Sequence, residues 1–116
     1  MIPVHFTTGT GTPALTLLNG GNNCGVMGAV SNNLETSTTI YLKFWWQKNL
    51  ANPPIIGTTA PDLTIPITSA VGLVPFSFYR PVNPGGPCWY AVTKNGGDTD
   101  DTALSTGGEV VTIFIE

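Results

Sequence analysis

The chain has 116 residues, of which only 9% are charged, and its formal net charge is −3 at pH 7. A typical soluble domain carries about 25% charged residues, and nucleic-acid binding needs clustered Lys and Arg side chains. With four Lys and Arg residues in the whole chain, we expect no nucleic-acid partner. No apolar run approaches the roughly 20 residues of a membrane helix, so we expect no membrane partner either.

A chain of this length is expected to form one domain, here residues 1–116. Residues 1–6 contain neither a basic region nor a continuous apolar run, so we expect no secretory signal. Assembly in the cytosol favours thiols at Cys24 and Cys88 over a disulfide, although the sequence leaves a bond between them open. Two cysteines without acidic or His neighbours do not predict a metal site, and no cofactor is expected.

The composition predicts an all-β fold, because the 14 Gly and 10 Pro residues interrupt short segments rich in Thr, Val and Ile. The first predicted strand is residues 13–18, which stops at the turn residues Asn19 to Asn23. A second strand of small residues, 25–30, ends at Ser31-Asn32-Asn33.

Residues 38–48 carry the clearest strand signal of the chain. Apolar side chains alternate there with a second set of residues, namely Ile40, Leu42, Phe44 and Trp46 against Tyr41, Lys43, Trp45 and Gln47. A period of two with one wholly apolar face predicts the central strand of a sheet. The proline loop that follows (residues 49–61) carries three prolines, so we expect it to cross from one sheet to the other.

The second half of the chain contains four further predicted strands, which are residues 63–67, 71–78, 88–93 and 109–115. Pro66 and Pro75 cannot donate to a strand ladder, so they place the first two of these at a sheet edge or a bulge. Residues 79–87, with three prolines, are predicted to form a second long loop. Six to eight short strands predict a single-domain antiparallel β-sandwich, either Ig-like or jelly-roll.

The sequence argues against an enzyme. His5 is the only histidine, and it lies near a chain end, where segments often fray. Glycoside hydrolysis by paired carboxylates would have to draw on the seven acidic residues, nearly all of which fall in predicted turns or at strand ends as solvated groups. Those residues are Glu35, Asp62, Asp98, Asp100, Asp101, Glu109 and Glu116.

The densest polar cluster is the acidic turn (residues 95–102), which suggests a calcium loop because hard cations favour several oxygen ligands. Counted from Asp98, an EF-hand loop would place Asp100 third and Glu109 twelfth. However, Ala103 stands at the sixth position, where glycine is required, and no helices flank the segment. We therefore expect the Asp and Thr side chains to cap their own turn backbone, with no metal bound.

Aromatic side chains and the only arginine are the candidate interface residues. Trp45 points to the opposite face from Trp46, and Trp89 to the opposite face from Tyr90, so that one of each pair approaches solvent or a partner. Exposed aromatic rings would suit a carbohydrate-binding module. The alternative favoured here is that Trp45 packs against the proline loop or a neighbouring subunit. Tyr79 and Arg80 are further interface candidates, since both residue types are enriched in interfaces.

The order of these motifs resembles that of small structural proteins of tailed bacteriophages. The resemblance lies in Tyr41-Leu42-Lys43-Phe44, residues 57–61 leading into 63–67, and then residues 88–93 followed by 96–103 and a last apolar strand. It covers residues 41–115 and leaves the first forty residues unmatched. The doubled Trp45-Trp46 departs from the pattern.

The resemblance implies a β-sandwich that is incorporated into a virion and has no catalytic residues. The expected function is a capsid decoration or cement protein that stabilises contacts between capsid subunits, assembled in the host cytoplasm. Its expected partners are the major capsid protein or other virion proteins, together with further copies of itself. A tail, neck or fibre component is the first alternative, and a carbohydrate-binding module using Trp45, Trp89 and Tyr90 is the second.

Overall fold

Eight β-strands carry the part of the chain that the computed structural model describes, which is residues 2–21, 25–35, 38–46, 50–68, 73–82 and 86–116, without the side chains of 73–82. One short 3-10 helix, Asn19–Gly21, follows the second strand. The strands are β1 Ile2–Thr7, β2 Thr16–Leu18, β3 Val26–Asn32, β4 Ile40–Trp46, β5 Leu63–Ile67, β6 Leu73–Val82, β7 Cys88–Thr93 and β8 Val110–Ile115. No helix in these segments has the length and apolar character needed to cross a membrane.

The strands form two antiparallel four-stranded sheets. The first sheet has the order β1-β8-β3-β6, and the second sheet has the order β2-β7-β4-β5. Eight strands distributed over two sheets in this order make a jelly roll. The predicted all-β sandwich is therefore confirmed, and of its two alternatives the topology is the jelly roll.

The core lies between the sheets and explains the period of two in the sequence. The inner face of β4 buries Ile40, Leu42, Phe44 and Trp46, as its alternation predicts. From the first sheet, β8 contributes Val111, Ile113 and Ile115 to the same cluster. As predicted, β4 is an interior strand, hydrogen-bonded to β5 on one side and β7 on the other.

Prolines mark the sheet edges. Pro66 lies in β5, the last strand of the second sheet, and Pro75 lies in β6, the last strand of the first. An edge strand has one side without a partner, so the missing N–H of proline costs no ladder hydrogen bond there. Both edge predictions are confirmed.

Three predictions are corrected by the register of the strands. The proline loop does not cross between sheets, because Phe44 of β4 pairs with Leu63 of β5 within one sheet. Tyr79 and Arg80 lie in strand β6 and not in a loop, since β6 continues to Val82, which pairs with Val26. Residues 2–7, where the sequence predicts no strand, form β1, and all of β1 pairs with β8.

Candidate interaction surfaces

Loops of the chain lie over the outer face of the second sheet at Tyr41, Lys43 and Trp45. We call this outer face the covered face (Leu17, Tyr41, Lys43, Trp45, Thr64, Pro66, Trp89, Ala91, Thr93). Over Trp45 lies the proline loop. Its turn is closed by the N–H groups of Thr58 and Thr59, which donate to the carbonyl of Ile55. The Trp45 indole Nε1 donates to the carbonyl of Thr59 over 2.9 Å, and the side chain is only 1% exposed. Trp45 thus packs against the proline loop, one of the two arrangements considered for it.

The acidic turn covers the neighbouring part of the same face, above Lys43. The Lys43 side chain is 0% exposed, and its Nζ donates to the carbonyls of Gly97 at 2.8 Å and Asp100 at 3.3 Å. Burial lowers the pKa of Lys43, while the charges of Asp100 and Asp98 act in the opposite direction. The ammonium group therefore fastens the turn to the sheet from below.

Close packing between the acidic turn and the sheet is visible at Gly96. A Cβ atom at this position would lie 2.7 Å from Cε1 of the Tyr41 ring, so a larger residue does not fit. The acidic turn also meets the proline loop, since a Cβ at Gly57 would lie 3.1 Å from Oδ2 of Asp101. The two loops therefore contact each other and together lie over Tyr41, Lys43 and Trp45.

The carboxylate of Asp100 organises the acidic turn, as the capping prediction states. It accepts from the backbone N–H of Asn95 and of Thr102, both at 3.2 Å, and from the Thr102 hydroxyl at 2.6 Å. Burial raises the pKa of Asp100, but these donors, with the Asn95 side chain, outweigh it and bring the pKa below 3.8. No three His, Cys, Asp or Glu side chains among the described residues converge on a common point.

Two of the predicted interface residues lie in the interior of the chain. Trp45 and Tyr90 are both buried, so neither ring offers surface to a partner, and this part of the interface prediction is corrected. Trp89 is half-buried on the covered face, opposite Trp45. The side chains of Tyr79 and Arg80 lie outside the described residues. So does Cys24, which leaves the question of its bond to the buried Cys88 where the sequence left it.

The outer face of the first sheet has a different character, and we call it the open face. Its described members follow the strand register opposite to the core residues: Pro3, His5, Thr7, Gly28, Val30, Asn32, Val110, Thr112 and Phe114. Val110 is 48% exposed, and Val30 and Phe114 are half-buried. None of these nine residues is an acid, a lysine or an arginine. The described part of the open face is therefore a surface of apolar side chains, hydroxyl groups, one amide and one imidazole.

His5, the only histidine, lies on the open face. Its Nδ1 is 2.8 Å from the hydroxyl of Thr112 on the neighbouring strand β8. The ring is exposed, and its described partner is a hydroxyl group and not a carboxylate. This contact supports cross-strand pairing of β1 with β8.

Two acidic residues that the sequence places among solvated turn groups are buried instead. Glu109 is 0% exposed and Glu35 is 3% exposed, although 73 positions separate them in the chain. The Glu109 carboxylate accepts from the Thr8 hydroxyl at 2.7 Å and from the N–H of Leu34 at 3.0 Å. This carboxyl pair joins the ends of β1 and β3 to the start of β8.

Backbone N–H groups stabilise the negative charge of Glu35. Its carboxylate accepts from the N–H groups of Ser105, Thr106 and Gly107, and the Glu109 side chain lies within hydrogen-bonding reach. Burial raises the pKa of Glu35, but these amide donors and Glu109 outweigh it and hold the pKa below 4.5. These hydrogen bonds tie the residues around Glu35 to residues 105–107.

Neither a protein-family model, nor a curated protein, nor a solved structure matches this chain.

Proposed function

We propose that this chain is a non-enzymatic structural subunit of a tailed-bacteriophage virion, specifically a capsid decoration or cement protein that stabilises contacts between capsid subunits. The observation that carries the proposal is the open face, whose nine described residues include no acid, lysine or arginine and leave Val110 48% exposed. The proposed partner for this face is the major capsid protein or another virion protein. Assembly takes place in the host cytoplasm, and further copies of the chain are additional partners.

The contrast between the two outer faces supports docking by the open face. Two loops of the chain lie over the second sheet, and Lys43 and Trp45 are buried beneath them. On the first sheet, Val110 is 48% exposed, and Val30 and Phe114 on the same face are half-buried. Interface centres are depleted of charged residues relative to the rest of a protein surface. The described open face has that composition in a chain whose net charge is −3.

The jelly-roll fold is compatible with the proposal but does not select it. Jelly rolls occur in viral capsid proteins and in lectins alike, and a fold does not determine a function. The aromatic residues separate the two classes. A carbohydrate-binding module would need Trp45 and Tyr90 at the surface, whereas both are buried. We therefore favour the virion protein over the carbohydrate-binding module.

A docking experiment tests the open face directly. Val110→Lys places a charge on its most exposed described valine, at the start of β8, and Ile55→Lys is the matched control, because Ile55 is 61% exposed on the proline loop at the opposite side. Particles are assembled with each variant and purified, and the chain is quantified against the major capsid protein. We expect Ile55→Lys to be incorporated normally and Val110→Lys to be lost from particles.

Two outcomes would contradict the proposal. Equal incorporation of both variants would remove the open face as the docking surface. Absence of the unmodified chain from purified particles, with recovery in the host cytoplasm, would remove the virion assignment itself. Copy number separates the remaining alternative, since a decoration protein is present at a large fraction of the capsid protein, whereas a tail, neck or fibre component is rare.

A further inference from the structure

A pocket of about 270 Å³ opens between the first strands of the two sheets, at the side where β1 and β2 are the edge strands. Its floor consists of Phe6, Tyr90, Val92 and Leu104, of which the last three are buried core residues. Its rim is the segment between β1 and β2, residues 8–15, which includes Thr12 and Ala14. The pocket is thus continuous with the hydrophobic core at its base.

The rim is held firmly at the end where it leaves β1. The Thr8 hydroxyl donates to Glu109 Oε1 at 2.7 Å and accepts from the Glu109 N–H at 3.0 Å, and the Thr8 N–H donates to the Glu109 carbonyl at 2.9 Å. Next to it, Gly107 has φ +68°, and a Cβ there would lie 2.9 Å from the backbone carbon of Gly9. Two backbones cross at this point with no room for a side chain.

The other end of the rim is fixed by the second sheet. Thr16 begins β2 and pairs with Tyr90, and the Thr16 side chain is hydrogen-bonded to the Tyr90 hydroxyl. Between the two fixed ends, Gly9, Thr12 and Ala14 are exposed. The pocket is therefore preformed, because its floor is core and its rim is anchored on both sides.

The lining selects the chemistry of a ligand. None of the twelve residues that line the pocket is charged, so it offers no ion pair to a charged group. Phe6 and Tyr90 pack with their ring centroids 4.8 Å apart and their planes at 47°, which makes the floor aromatic. A cavity of about 150 Å³ lined by apolar side chains binds benzene, so this larger pocket accommodates a bicyclic ring.

We propose that this pocket binds an uncharged aromatic ring of about the size of indole. A sugar is a poorer fit, because three of the hydroxyl groups in the lining are already engaged: Thr8 bonds to Glu109, and Tyr90 and Thr16 bond to each other. Specific sugar recognition needs several polar groups directed at the ligand. The inference does not depend on the virion assignment, since it concerns the isolated chain.

The aromatic ring has two possible sources, a free small molecule or a tryptophan side chain of another protein. The experiment is an NMR titration of the ¹⁵N-labelled full chain with indole, with N-acetyltryptophanamide and, as the competing chemistry, with glucose. We expect saturable shifts for indole at the amides of Phe6, Thr12, Ala14 and Leu104. Comparable binding of N-acetyltryptophanamide identifies a protein side chain as a source, and binding of indole alone identifies a small molecule.

A pocket-filling variant tests the location. Ala14→Phe places a ring of the protein itself in the pocket, and Ala60→Phe is the matched control at an exposed position on the proline loop. We expect the indole Kd to rise at least about tenfold in Ala14→Phe and to stay unchanged in Ala60→Phe. If Ala14→Phe does not fold, nuclear Overhauser contacts between indole and Phe6 or Leu104 in the unmodified chain decide the location. Non-saturable indole shifts, contacts elsewhere, equal Kd values in the two variants, or binding of glucose in place of indole would each overturn the proposal.

Discussion

The two outer faces of the sandwich differ in the described loops that lie over them. On the covered face, Lys43 and Trp45 carry polar atoms into a buried layer, and each of those atoms has a backbone carbonyl as partner. On the open face, the half-exposed Val110 has no comparable loop above it in the described part of the chain. Loops of the chain lie over one face, and the other is the face that we propose for docking.

The contrast between the covered face and the open face shows where polar groups can be buried in a chain with so few charges. Burying an ammonium group is costly unless hydrogen-bond partners replace water. The acidic turn supplies those partners to Lys43 through two carbonyls, and its acidic charges lie nearby. The open face, without such a loop, has an exposed imidazole at His5 as its only titratable group among the described members.

The largest expected effect is a truncation on the covered face. Trp45→Ala removes a fully buried side chain and the hydrogen bond to Thr59, and we expect it to lower the free energy of unfolding by about 4 kcal/mol. Val30→Ala is the counterpart on the half-buried open face and should cost about 1 kcal/mol. Urea unfolding of both variants measures the contrast. Equal costs would mean that the proline loop adds no packing to the covered face.

The next largest effect is expected at Lys43, which holds the acidic turn against the sheet. Lys43→Ala removes a buried stem and leaves two carbonyls without their donor, so we expect a loss of about 3 kcal/mol in urea unfolding. Lys94→Ala is the control, because Lys94 is more exposed and its described side-chain hydrogen bond goes to the Ser105 hydroxyl, and it should stay within about 0.5 kcal/mol.

Lys43→Met separates the stem of this lysine from its charge. It keeps most of the packing and removes only the donor to Gly97 and Asp100. We expect amide hydrogen exchange to accelerate across the acidic turn and to remain unchanged in β4. Unchanged exchange in the turn would show that the ammonium group does not hold it.

Adjacent valines give a smaller and sharper contrast. Val111 is fully buried in the core and Val110 is exposed on the open face, although they follow one another in β8. Val111→Thr buries a hydroxyl and should cost about 2 kcal/mol, whereas Val110→Thr should stay within about 0.5 kcal/mol. Thermal unfolding checks both. A loss of stability in Val110→Thr would mean that the open face is packed in the isolated chain.

The smallest expected effect is a change in acid sensitivity. The pKa of Glu35 is below 4.5 in the folded chain, so its contribution to stability is present above pH 4.5 and is lost as pH falls through the folded value. Glu35→Gln should therefore flatten the decline of the free energy of unfolding measured by urea titration between pH 6 and pH 3. Asp100 contributes a decline of the same sign, so some slope remains in the variant. An unaltered slope would exclude Glu35 as a source of the acid sensitivity.

Local patterns predicted the strands because the physical signal there is local. The alternation from Ile40 to Trp46 identifies an interior strand, and Pro66 and Pro75 identify edges, since each signal acts within its own strand. The same reasoning failed for β1, whose partner β8 lies at the far end of the sequence. It also failed for Tyr79 and Arg80, where the proline rule suggested a loop although an edge strand tolerates Pro81.

Burial of polar residues was not predictable, because it depends on segments far away in the sequence. Lys43 is sealed by residues 97–100, more than fifty positions later, and Glu35 by amides about seventy positions later. The sequence around Lys43 and around Glu35 contains no motif that predicts these hydrogen-bond partners. Trp45 is the intermediate case, since packing against the proline loop was one of the stated alternatives and the partner, Thr59, is only 14 positions away.

The pairing of β1 with β8 has a consequence for the order of events in folding. Ile2 lies opposite Ile115, so β1 cannot pair until β8, the last described strand along the chain, has been synthesised. Joining them closes a loop of almost the whole chain, and such non-local pairing slows folding. Until β8 emerges, the inner sides of β1 and β3 remain without their shared neighbour. The first sheet therefore completes only once β8 has been synthesised, and the nascent chain is exposed to aggregation until that moment.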